Sequence, residues 1–296
     1  MEPETDTIFA SPLGGSRLAL PQVTLCAASS VNLPATIRAL EVCMAQVDFA
    51  EVLLFADRAA IKRAPPVPAP IRVVNVAPML SSAAYSAFIL EGLADHVSSS
   101  HCLVVQWDGY VIDAGCWSAE FLDYDYVGAS WPQFDDGHDV GNGGFSLRSR
   151  RLLEACRSPG FVMHHPEDLA IGRTNRGLLE VKGLRFAPRE VADRFAAERA
   201  GDPDRSFGYH GVFLMPRVLG IEDFWSVYLS LDERSSLRPD FGDLLRAVFE
   251  GARGTRRALK MIGRKLGDAA IWRQLRRANK PGKNCESLCI PPGNGD

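Results

Sequence analysis

The sequence predicts an α/β fold, a mostly parallel central sheet flanked by helices, and three observations predict it. Apolar runs of strand length (Val23 to Ala27, Glu51 to Phe55, Ile71 to Val76, Leu103 to Val105) recur through the first third of the chain. Between them lie stretches with apolar residues every three or four positions, which is helical spacing. Leu103, Val104 and Val105 are apolar at consecutive positions, as suits a strand buried on both faces, and strands alternating with helices give right-handed βαβ units.

In chain order, residues 1–16 are polar with Gly and Ser and read as a loose leader without the basic and apolar parts of a secretory signal. Ser29, Ser30 and Asn32 follow the first strand. Asn32 is an N-cap candidate and Pro34 fits a first helical turn. Ile37, Leu40, Met44 and Val47 carry that helix to the second strand, which closes at Asp57. A connection containing Pro65, Pro66, Pro68 and Pro70 leads to the third strand, a helix around Tyr85, Phe88, Ile89 and Leu93, and the strand at Leu103. This last strand ends in Gln106-Trp107-Asp108-Gly109. Ligands collect beyond the carboxyl ends of strands in open sheets, so Asp108 stands where a substrate or metal would sit; a turn-forming role fits it equally on local grounds.

Farther on, the Asp-, Gly- and His-rich stretch 135–139 reads as a surface loop running into Gly141-Asn142-Gly143-Gly144 and a strand at Phe145 to Leu147. Three glycines in four positions let the backbone approach a ligand closely. A helix is expected from Arg150 to Cys156, and another after Pro166, where Glu167 and Asp168 in the first turn suit the helix dipole. Leu184 to Ala187 reads as a short strand and Arg189 to Arg199 as a helix. His210 stands in Gly208-Tyr209-His210-Gly211, freer to reach a ligand than a histidine on an apolar helical face.

The 296 residues are 46% hydrophobic, enough to bury a large core, and their net charge is −3. That small value hides an asymmetry. From Gly251 onward eleven Lys and Arg face three acids, a net of +8, so residues 1–250 carry −11. Leu259, Ile262, Leu266, Ala269, Trp272 and Leu275 recur at helical spacing in this basic stretch, which reads as an amphipathic helix interrupted by Gly263 and Gly267. Contact with an anionic membrane surface and packing on the acidic body are both open to it. Few aromatics accompany the charges, so no nucleic-acid partner is expected. Seven scattered cysteines suggest reduced thiols, and no apolar run reaches membrane-spanning length; the expected location is cytoplasmic. The expected division is a leader over 1–16, a main α/β domain over 17–230, a basic helical extension over 231–283 and a tail over 284–296.

Five motifs in this order, Leu103-Val-Val-Gln-Trp-Asp-Gly, Tyr124-Asp-Tyr-Val-Gly-Ala, Gly141-Asn-Gly-Gly-Phe-Ser-Leu-Arg, Pro166-Glu-Asp and Phe207-Gly-Tyr-His-Gly, resemble those of an uncharacterised bacterial family with a GT-A glycosyltransferase fold. The resemblance spans Pro21 to Pro216. It implies transfer of a sugar from a nucleotide-diphosphate donor to a glycan, lipid-linked or small-molecule acceptor, with Mn²⁺ or Mg²⁺ held by an Asp-x-Asp motif and a later histidine. Carried over by residue, Asp108 matches the second acid, His210 the histidine, Gly143 and Gly144 the turn under the sugar, and Asp168, with Glu167 beside it, the base of an inverting enzyme. Gln106 replaces the first acid, so the cation site loses a charge. Ser29, Asn32, Asp57 and Gln106 are donor-binding candidates from their places at strand ends. The alternative is a module of the same fold that binds nucleotide sugar or glycan without turnover. A nucleotidyltransferase would place a glycine-rich basic loop after its first strand, and Ala27 to Asn32 has neither feature.

Overall fold

The computed structural model describes residues 16–278, with side chains to residue 270. Residues 1–15 of the expected leader and the expected tail over 284–296, with Cys285 and Cys289, lie outside the described residues. Contacts divide the chain into two compact units, one reaching Phe241 and one beginning at Gly242, and each is described by itself.

The first unit opens with β1 (Leu18–Ala28), α1 (Leu33–Gln46), β2 (Val47–Ala56), α2 (Arg58–Arg63), β3 (Arg72–Asn75), α3 (Ser82–Ala87) and β4 (His101–Val105). It continues with β5 (Tyr126–Val127), β6 (Phe145–Ser149), α4 (Arg150–Ala155), α5 (Glu167–Leu169), α6 (Arg176–Val181), α7 (Arg189–Phe195), β7 (Ala196–Ala197), β8 (Gly208–Tyr209), α8 (Met215–Leu219) and α9 (Ile221–Ser230). The C-terminal helices are α10 (Phe241–Glu250) and α11 (Gly254–Ala278).

The predicted α/β class is what the structure has: a six-stranded sheet of order β3-β2-β1-β4-β6-β5, flanked by helices. Strands β1 to β4 are mutually parallel, and β6 runs antiparallel to both of its neighbours. The central strands are apolar on both sides because helices cover both faces, and Leu25, Leu53, Leu103 and Leu147 are fully buried. From β1 the chain builds outward on one side through β2 and β3, then crosses to the other side of β1 as β4. Direction of winding therefore reverses between β1 and β4, and a crevice opens at such a switch point beyond the strands' carboxyl ends. Gln106 and Asp108 leave β4 there.

Several local expectations are corrected. Val47 begins β2 rather than ending the helix, since its side chain is buried in register with Leu18 of β1. The Arg189 helix stops at Phe195, because Ala196 and Ala197 pair with Gly208 and Tyr209. Leu184 to Ala187 makes only an isolated bridge, Phe186 to Tyr126. Helix α11 passes unbroken through Gly263 and Gly267, each costing only about 1 kcal/mol relative to Ala. Asn32 stands at the N-cap position of α1 with φ 53°, yet its side chain does not cap; it accepts from the amides of Asp232 and Glu233 and donates to the Glu233 carbonyl.

Helix α2 is an addition to the elements expected from the sequence, and Asp57, a donor-binding candidate, is its N-cap. Asp57 Oδ1 accepts the amides of Ala59 and Ala60, both at 2.9 Å, and the Ala60 bond is the main reason its carboxyl lies below the usual range. A depressed carboxyl stabilises the fold above its unfolded value of about 3.9 and loses that contribution as pH falls through its folded value. Asp57→Ala is thus expected to cost about 1 kcal/mol at neutral pH, the usual loss of an N-cap. Denaturant melts should show the gap narrowing below pH 4; a constant gap would mean that the cap carboxylate is not its source.

Candidate active site

Backbone pairing brings residues distant in sequence to the end of β4. Gly208 bridges to Val111, the Tyr209 amide donates to the Tyr110 carbonyl, and the Gly211 amide donates to the Asp108 carbonyl at 3.0 Å. Residues 207–211 are thereby stitched beside 108–111, and β7 is carried with them through its pairing to β8. The His210 imidazole ends up against Asp108, its Nε2 lying 3.7 Å from Asp108 Oδ1 and 3.4 Å from Gln106 Oε1. On the ring's other side, Glu198 Oε1 lies 3.2 Å from Nδ1. A carboxylate there keeps a proton on Nδ1 and directs Nε2 at Asp108 and Gln106.

The glycine loop closes over this group. A Cβ on Gly144 would collide with the His210 ring and one on Gly143 with the Glu167 carboxylate, so only glycine lets the backbone pass between them. Asn142, in the left-handed region at φ 57°, accepts the Gly144 amide on Oδ1 and donates through Nδ2 to Glu198. The Gly143 amide donates 3.3 Å to Asp168 Oδ2. A single short loop therefore touches both the His210 cluster and Asp168.

Asp168 and Glu167 are adjacent but differ in environment. Glu167 is buried, with Oε1 3.2 Å from Arg148 Nη2 and Oε2 accepting from Ser86 Oγ at 3.1 Å. Asp168 is only half-buried. Burial first, and the neighbouring Glu167 charge second, raise its carboxyl above the usual range. Burial likewise raises Asp108, partly opposed by His210. For His210 burial alone would lower the imidazole, but the Asp108 charge and the bond to Glu198 outweigh it, with Glu198 and Asp168 adding charge, and it is pushed up to about 9.

The donor set bears on a cation. Asp108 Oδ1 is buried without a hydrogen-bond partner, which a cation would supply. Oδ1, His210 Nε2 once a cation has displaced its proton, and Gln106 Oε1 offer one carboxylate, one imidazole and one neutral carbonyl, donors that Mn²⁺ accepts and Mg²⁺ tolerates. Among the described residues no group of three or more His, Cys, Asp and Glu side chains could hold a metal, so Asp108 and His210 would need a ligand's oxygens beside them to complete a cation site.

Of the residues read from the sequence, Gln106, Asp108, Gly143, Gly144, Glu167, Asp168 and His210 come together. Ser29, Asn32 and Asp57 have their polar atoms engaged elsewhere: the Ser29 hydroxyl with Val31, Asn32 with Asp232 and Glu233, and Asp57 in its cap. Glu198, Asn142 and Arg148 belong to the constellation and were not foreseen. Asn142 and Arg148 stand inside the Gly141–Arg148 motif but carried no assigned role, and Glu198 lies outside all five motifs. Cysteines 26, 43, 102, 116 and 156 are free thiols. No described helix is long and apolar enough to cross a membrane.

Fold and cluster define an α/β protein with a polar side-chain cluster beyond the carboxyl end of β4, where the winding of its sheet reverses. Residues 70–210 match the family described as "Protein of unknown function (DUF5672)". That span holds all of the clustered side chains. No curated protein matches the sequence. Among solved structures the chain is similar to the galactosyltransferase LgtC in complex with donor and acceptor sugar analogues, at 14% identity and TM-score 0.39, and to an active-site mutant of LgtC, at 15% and 0.40. Each match covers 73% of this chain and 99% of the other.

Proposed function

We propose that the chain is a glycosyltransferase that moves a sugar from a nucleotide diphosphate to an acceptor hydroxyl with inversion. The observation that carries the reading is the Gly143–Gly144 loop, which lies against both Asp168 and His210 and so joins a candidate base to a candidate phosphate site. A cleft of about 320 Å³ at the carboxyl ends of β1 and β2, lined in part by Ser30, Val31, Pro34, Arg63 and Asp232, offers room for the nucleoside. Ser29, Asn32 and Asp57 flank it in sequence.

Asp108 Oδ1 and His210 Nε2, with the Gln106 carbonyl, would hold Mn²⁺ or Mg²⁺. When bound, the cation would stabilise negative charge on the departing diphosphate. Glu198 keeps the His210 ring oriented, and Gly143 and Gly144 keep side chains out of the sugar's path. Asp168 takes the acceptor's hydroxyl proton as the new bond to the anomeric carbon forms and the bond to the diphosphate breaks with its electron pair.

A panel of UDP- and GDP-sugars with Mn²⁺ tests this. Slow hydrolysis of one donor is expected, with Asp108→Ala weakening nucleotide-diphosphate affinity in calorimetry when Mn²⁺ is present. Donor binding with no turnover against any acceptor or water would favour the turnover-less module, which Gln106 supports by removing a charge. Equal affinity of wild type and Asp108→Ala would count against the phosphate site.

A further inference from the structure

Helix α11 is apolar on two sides. Ala258 and Met261 are buried, whereas Leu259, Ile262 and Leu266 are 65%, 39% and 62% exposed. At 3.6 residues per turn the three exposed side chains, with exposed Ala270, fall within a stripe about 80° wide. Three large aliphatic side chains in one row on an outer helical face are more than isolated surface residues. Exposed Arg256 and Lys260 border the stripe on one side, and exposed Lys265 borders it on the other. The surrounding sequence from Gly251 is +8, on a protein that is otherwise −11.

We propose that this face of α11 docks on an anionic lipid bilayer, lying in the plane of the interface with Leu259, Ile262 and Leu266 among the acyl chains. Charge complementarity selects the occupant. Cations flank an apolar stripe on both sides, so a surface that is apolar at depth and anionic above satisfies both at once. A nucleic-acid strand would meet the cations but offer nothing to three aliphatic side chains. The proposal is independent of the transferase reading, since it uses none of the residues at the crevice.

Flotation of the full chain with phosphatidylcholine vesicles, with and without phosphatidylglycerol, tests it. The chain is expected to float with the anionic vesicles only, less so as salt screens the charges. A triple variant, Leu259→Ser, Ile262→Ser and Leu266→Ser, should lose flotation. The pair Arg256→Gln and Lys260→Gln should weaken it about fivefold per cation, given roughly 1 kcal/mol for each basic residue near an anionic surface. Circular dichroism and the denaturant-unfolding midpoint check that each variant remains folded. Failure of the wild type to float, or equal flotation of the triple variant, overturns the proposal. So does self-association that the triple variant abolishes while vesicles go unbound, because the stripe would then serve a second copy of the chain.

Discussion

Asp168→Asn is expected to lower sugar transfer by about 10² to 10⁴-fold, the usual contribution of a positioned general base, while donor affinity stays near that of the wild type. Two acids are adjacent in sequence, and their surroundings separate their roles. Glu167 is closed in by the Arg148 guanidinium and the Ser86 hydroxyl, so its carboxylate has no path to a substrate. Asp168 is half-buried, held by the Gly143 amide on Oδ2 and the Leu169 amide at 2.8 Å on Oδ1, and each oxygen keeps a lone pair to spare. Burial and the Glu167 charge raise its carboxyl toward working pH, the direction that makes a carboxylate a better base. Asn preserves shape and one amide contact but cannot take a proton. Single-turnover kinetics beside donor calorimetry separate the two effects: full turnover by the variant removes Asp168 from the role, and lost donor binding makes it a binding residue.

The parts of this molecule that were legible in the sequence are those whose signal is local. Strands β1, β2 and β4 show as apolar runs because both sheet faces are covered, and Asp108 shows because a polar turn after a buried strand marks the crevice end of the sheet. His210 and the glycine pair showed as motifs. Glu198 did not, for it is a partner of His210 only by virtue of β7 pairing with β8, and two-residue strands leave no pattern to read. At Asp57 the local signal has two readings. An acid after a strand looks alike whether it meets a ligand or caps the next helix, and the structure shows the cap, with two amides donating to it.

Arg148 carries the second large expected effect. The sequence shows it as the last residue of the glycine motif, just past the expected strand, and nothing local signals that it is fully buried in β6. Its guanidinium donates from Nε to Ser146 Oγ at 3.0 Å and from Nη2 to Glu167 Oε1 and the Gly143 carbonyl, with the Tyr126 ring 5.5 Å away. Arg148→Met would leave Glu167 buried with its counter-charge gone, which costs about 3–5 kcal/mol, a large part of a domain's stability. Adding Glu167→Leu should restore much of that loss, since an apolar pair in place of a buried ion pair is often neutral. Denaturant unfolding of the single and double variants measures both; a single variant within about 1 kcal/mol of wild type would mean that the pair is not held as described. Activity should not return with stability in the double variant. Arg148 and Glu167 fix the Gly143 carbonyl and the turn bearing Asp168, so a refolded but untethered loop would present the Asp168 carboxylate, the proposed base, without a defined direction, and even small displacements of a base from its proton are costly.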